Sequence, residues 1–273
     1  MNSIKDAIVK GDSLGAEKRL FYYWQATAPI RSYSSAVGEP VSGWLFPAAC
    51  SNTFTQMIML FDLVLLFCDA PFLDKHQPYL IVRSGRQNWL WGQIFYIITA
   101  SALYFLYNTL LSAAVFLPHF TFTDDWGRIL YTMVMGSIYE NYGFILSPRS
   151  YLVTQYTPLE ATLLSLLLAW LVGVLIGMVM FVLNLYFNRV AGTISGLVLI
   201  LLGTLSELVG RDLRMGFIAP SAWFNLHKIH IGAPYYFPSL TFILIVLPLL
   251  ILVLFIIAQR IMRQKDIEVL PQL

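Results

Sequence analysis

Apolar residues in this chain run in long blocks, and polar residues collect between them. Five blocks reach the roughly 20 residues that a helix needs to cross a hydrocarbon core of about 30 Å. They cover positions 44–70, 90–117, 159–187, 191–209 and 239–258. Strands of a membrane barrel would be nearer ten residues long and would alternate apolar with polar. These blocks do neither, so each predicts a helix. The fold class expected is all-α, a polytopic membrane helix bundle.

Lysines and arginines between the blocks set an orientation, because short cytoplasmic loops carry an excess of them. The basic connections are the one with Lys75, Arg83 and Arg86, the tight turn at Arg189, and the tail with Arg260, Arg263 and Lys265. The N-terminal stretch adds Lys5, Lys10, Lys18 and Arg19 to the same side. It has no apolar core and does not read as a secretory signal. Five spans would leave the two termini on opposite faces, whereas both read as cytoplasmic. A sixth crossing is therefore expected within 20–44, although Arg31, Glu39 and two prolines make that stretch a weak span. The alternative is an amphipathic helix lying along the interface. The expected count is about six transmembrane helices, five clear and the first weak. Residues 1–43 form an N-terminal interface helix and weak first span, and 44–273 form the membrane domain. Segments 118–158 and 210–238 face the opposite side, and short helices lying on that membrane surface are expected in both.

Composition agrees with the block pattern. Hydrophobic residues make up 58% of the 273 positions and charged residues 12%, about half the usual charged share of a soluble domain. The formal net charge of +2 gives no reason to expect nucleic acid. Cys50 and Cys68 fall in one block. In a continuous helix they would stand about 27 Å apart at ~1.5 Å per residue, beyond disulfide reach.

No G-x-x-x-x-G-K-[ST] phosphate loop is present. The stretch 11–18 has the wrong spacing and no strand before it, so this chain is not expected to hydrolyse ATP by itself. His227 and His230 are spaced H-x-x-H and His119 lies on the same expected side, but a metal site needs further ligands; no metal is expected. Acidic groups within apolar blocks are more informative, since Asp at a helix centre costs roughly 2.5–3.5 kcal/mol on insertion scales. Asp62 and Glu207 are thus candidates for a translocation or proton-coupling pathway. The competing reading is a polar packing contact or, for Glu207, a headgroup-level position. The G-x-x-x-G pairs Gly173/Gly177 and Gly192/Gly196 point to close helix packing within the chain.

The most distinctive local feature is a basic elbow at 69–90. Asp69, Ala70, Pro71 and Phe72 leave one apolar block, and R-S-G-R-Q-N-W-L-W-G-Q (83–93) opens the next. A positive-inside loop accounts for the arginines alone. With V-S-G-W-L-F-P (41–47), T-P-L-E-A-T (157–162) and L-N-L-Y-F (183–187), this elbow resembles the membrane subunits of bacterial type-2 ABC exporters. The resemblance covers about 41 to the C-terminus. It implies a six-helix permease of the bacterial cytoplasmic membrane, with no cofactor of its own. Its partners would be a second permease chain and a separate ABC ATPase subunit that carries ATP and Mg. It also implies that Asp69, Pro71, Arg83, Gly85, Arg86 and Trp89 shape the ATPase-coupling elbow, and that 14–24 forms an N-terminal interface helix. Two other classes stay open from the residues alone, an intramembrane enzyme using Asp62 or the histidines and a non-transporting scaffold or immunity-type protein.

Overall fold

The computed structural model describes residues 21–68, 81, 83–117, 120–121, 124–135, 146, 148–187, 189–208, 215–229 and 237–264. After a helical stretch at 21–26, the elements in chain order are α1 (Ala28–Val37), β1 (Val41–Ser42), α2 (Phe46–Ser51), α3 (Thr53–Phe67) and α4 (Arg86–Ala114). There follow β2 (Phe120–Thr121), α5 (Gly127–Met135), α6 (Ser150–Gln155), α7 (Pro158–Tyr186) and α8 (Arg189–Leu208). Two 3-10 turns (Met215–Phe217 and Pro220–Ala222) precede α9 (Leu240–Gln264). Among the described residues the fold is helical apart from the parallel pair β1–β2, in which Val41 faces Phe120 and Ser42 faces Thr121. By length and composition α4, α7 and α9 can each cross a membrane, and α3 and α8 are shorter apolar helices.

Caps fix where the helices begin and end. The first apolar block is broken at Asn52, whose backbone is extended (φ −93°, ψ 119°). Its side-chain oxygen accepts the Thr55 amide at 3.0 Å, so Asn52 caps the start of α3. A block that reads as one helix is therefore two. Thr157 and Glu160 form a reciprocal capping box: the Thr157 amide donates to Glu160 Oε2 at 3.1 Å and the Glu160 amide to Thr157 Oγ1 at 3.3 Å. Pro158 at the first helical position needs no partner for an amide hydrogen it lacks. The T-P-L-E motif is thus the start signal of α7.

Residues divide between two compact units. The first comprises Met1–Gln56, Leu106–Leu166 and Asn225–His227. In it the β1–β2 pair lies beside α5, where Gly127 (φ 75°) lets the Ser42 side chain approach to 3.3 Å of a would-be Cβ. Trp126 donates to the Tyr156 carbonyl at 3.0 Å, and Arg128 pairs with Glu39 at 2.9 Å in an exposed ion pair. Asn225 donates to the Ser51 carbonyl at the α2–α3 break, at 3.4 Å.

The second unit comprises Met57–Phe105, Leu167–Phe224 and Lys228–Leu273. α7 supplies its best-covered helical stretch: every residue from 172 to 178 is buried. A Cβ at Gly173 would lie 2.7 Å from the Phe105 ring, and one at Gly177 would lie 2.7 Å from Ile97 and 3.0 Å from Phe67. These glycines are where α7 meets α3 and α4 side chains, the packing role their spacing suggests. Trp170 donates to the Ile98 carbonyl at 3.0 Å, and Tyr104 to that of Met59 at 2.8 Å. Asn184 Oδ1 accepts the Gly192 amide at 2.9 Å, fastening the tight turn between α7 and α8.

The segment before α9 departs from expectation. Of 216–224, only Phe217 and Ile218 are exposed; Ala222, Trp223 and Phe224 are buried. Ser221 donates to the Leu199 carbonyl, nine residues before the end of α8. Phe224 meets Phe105 at 6.3 Å between ring centroids, nine residues before the end of α4. Nine helical residues span about 14 Å at ~1.5 Å per residue. Two helices thus give the same depth, and the segment folds back along the bundle instead of lying flat on a surface. Gly203 makes room for the Ser221 side chain, and small and aromatic residues fill the rest.

Candidate functional site: a glycine elbow tied to the last helix

The elbow is built from R-S-G-R-Q-N-W, and each side chain or amide described there has a local task. The Gly85 amide donates to the Ile81 carbonyl at 2.9 Å, closing one turn, while Gly85 itself adopts φ 83°. That left-handed geometry ends a helix and suits a residue without Cβ. The Gly85 carbonyl then accepts the Trp89 amide at 3.1 Å, the first turn of α4. Asn88 reaches back and donates to the Ser84 carbonyl at 2.9 Å. One glycine therefore stops one helical turn and starts the next within a single residue.

Arg86, the first residue of α4, points at the end of a distant helix. Its guanidinium donates to the carbonyls of Arg263 at 3.3 Å and Met262 at 3.5 Å. The last carbonyls of a helix have no partner within it and carry the negative end of the helix dipole. Arg86 supplies hydrogen-bond donors and opposite charge to the end of α9. Further along, Trp89 is buried and stands 6.4 Å from Phe181 of α7, and Trp91 stands 4.9 Å from Phe255 of α9 between ring centroids. The α4 start is thus held against both α7 and α9.

Among the described residues the site is one-signed. Arg83, Arg86, Arg260 and Arg263 are all exposed, and stretches 83–93 and 255–264 contain no Asp or Glu. Of the other residues singled out in the sequence, Asp69 and Pro71 lie outside the described residues. Asp62 is half-buried in α3, on the flank of the buried stripe Met59, Leu60, Leu63, Val64 and Phe67, and is engaged by a neighbour. The backbone of Glu207 falls in the last turn of α8, and its side chain lies outside what is described. No arrangement brings Asp62 into a wider acidic or metal-ligating group: among the described residues no three His, Cys, Asp or Glu side chains gather. His227 is half-buried, while His119 and His230 lie outside the described residues. Neither Cys50 nor Cys68 forms a disulfide among the described residues, and the Cys68 thiol donates to the Leu65 carbonyl at 3.0 Å.

The α9 carbonyls that receive Arg86 are the part of the site that sequence reasoning misses. A helix-end arginine and a long apolar helix ending Q-R-I-M-R-Q are each visible in the sequence; their pairing, 176 residues apart, is not. No protein-family model, curated protein or solved structure matches this chain. Long apolar helices make it a membrane protein by length and composition.

Proposed function

We propose that this chain is the transmembrane permease subunit of an ATP-driven ABC transporter, an exporter whose ATP and Mg are handled by a separate ATPase subunit. In this reading it crosses a bacterial cytoplasmic membrane about six times with both termini in the cytoplasm. It pairs with a second permease chain, and the elbow receives the ATPase. The observation that carries the reading is the tie between Arg86 and the end of α9. A push on a free loop would dissipate in that loop. A push on this elbow moves the start of α4 and the end of α9 together, and Trp89 passes it to α7 through Phe181. A bundle with two packings could then be switched by closure of an external motor. Exposed Arg83 supplies a charged contact for the motor's surface.

Co-purification from native membranes tests this directly. The wild-type chain is expected to bring down a subunit carrying a phosphate loop, and Arg83→Glu to lose at least tenfold of that subunit at unchanged thermal stability. Recovery of the chain from native membranes with no nucleotide-binding partner defeats the proposal. So does labelling of a cysteine at position 83 only from outside the cell.

A further inference from the structure

We infer that the groove between α7 and α9 binds one anionic glycerophospholipid, its acyl chain in the groove and its phosphate on Arg260. The groove has a volume of about 410 Å³ and is lined by Val179, Val182, Leu183 and Tyr186 of α7 and by Leu254, Ile257 and Ile261 of α9. On each helix the lining positions fall at i, i+3 or i+4, and i+7, so each presents a continuous stripe of two turns, about 10 Å long. Apart from the Tyr186 hydroxyl the lining side chains are hydrocarbon, which excludes a polar solute.

Chemistry changes at one end. Tyr186 and Phe187 are exposed, with their rings 4.6 Å apart, and an exposed aromatic pair beside a hydrophobic stripe suits the headgroup level. Arg260 stands three residues after Ile257 and one before Ile261, on the flank of the lining stripe, whereas Arg263, nine residues after Leu254, falls on the opposite face of α9. Both are exposed. Phe255 and Met262, where α4 side chains meet α9, lie on a different side of the helix, so the lipid site and the elbow contact do not compete. An apolar slot ending in a cation and aromatic rings is complementary to one kind of molecule, an amphiphile with a negative head. Each arginine near an anionic lipid surface adds attraction that a zwitterionic lipid gives far less of. The inference needs a bilayer and is independent of any ATPase.

The test is native mass spectrometry of the detergent-solubilised full chain, titrated with phosphatidylglycerol or phosphatidylcholine. We expect a single phosphatidylglycerol adduct about fivefold tighter than the phosphatidylcholine one, in line with one favourable arginine. Arg260→Gln should bring the two lipids to equal affinity, and Arg263→Gln, on the opposite face of α9, should keep the preference. Leu183→Trp, which fills the slot, should weaken both. Thermal unfolding of each variant checks that it is folded, and Arg83→Gln, away from the groove, should keep the preference. Equal affinity of the wild type for both lipids overturns the inference. A preference that survives Arg260→Gln does so too, as does a chain dimer that replaces the adduct and disappears in Leu183→Trp.

Discussion

α7 and α9 are both long and strongly apolar, yet their surroundings are opposite. Over the best membrane-spanning stretch of each, 67% of α7 is buried and 11% of α9, although α9 is the more apolar of the two. Apolar content therefore does not decide which helix stands at the centre. Lipid is as apolar as leucine, so no hydrophobic force sorts helices within a bilayer; close van der Waals approach does. α7 carries the small residues that permit it, Ala169, Gly173 and Gly177, all buried. Along α9 the small apolar residue is Ala258, and it is fully buried. Its large neighbours Leu249, Leu252, Val253 and Ile256 stay exposed. Small residues mark the contact faces in both helices.

The largest effect should come from filling the contact at α7. In Gly177→Leu even the first added carbon would meet Ile97 and Phe67 at 2.7–3.0 Å, and overpacking a rigid site costs roughly 3 kcal/mol. We expect little folded protein in detergent and a strongly lowered thermal midpoint. Leu168→Ala is the converse change, removing volume at a fully buried α7 position. The cavity term remains even where lipid is the reference, so about 2 kcal/mol is expected, at the low end for such substitutions. A wild-type-like midpoint for both would mean that α7 is not the centre of its unit.

Part of this contrast is legible in the amino-acid sequence. Each apolar block contains an apolar helix, because 20 residues without polar relief have one economical way to satisfy their backbone in lipid. Gly173 and Gly177 are readable as contact points from spacing. Three features are not. The cut at Asn52 depends on one side chain bonding Thr55, and a six-residue helix on its other side leaves no periodic trace. The fold-back at 216–224 reads as a short helix on the membrane surface because its aromatic residues suit an interface as well as an interior; Ser221 bonding to Leu199 decides it. The Arg86 contact joins residues 176 and 177 apart in sequence, and an arginine at a helix start has many destinations. The Thr157–Glu160 cap is within reach of sequence reasoning, since S/T-x-x-E with proline at the first helical position is a start signal.

A smaller effect is expected where α9 is anchored. Arg86→Gln removes the charge facing the carbonyls of Met262 and Arg263. An exposed cation at a helix C-terminus is worth about 0.5 kcal/mol, so the thermal midpoint should fall only slightly. Hydrogen exchange should be more sensitive, with faster exchange confined to the last two turns of α9. An unchanged exchange pattern would separate α9 from the elbow and weaken the coupling argument at its base.

The smallest effect should be at the exposed side of α9, and it discriminates most. Leu252 is 52% exposed, so Leu252→Ala leaves little cavity and should change the stability of the single chain by less than about 0.5 kcal/mol. That result alone does not separate lipid from protein as the neighbour of this face. Leu252→Trp does, because lipid tails rearrange around a bulky ring and a fixed helix surface does not. If a second chain seats here, Leu252→Trp should reduce pairing in a cross-linking assay while the thermal midpoint stays put. If lipid covers this face, pairing should be unaffected by either substitution. A large fall in single-chain stability on Leu252→Ala would instead place another part of this same chain against α9 and remove the contrast with α7.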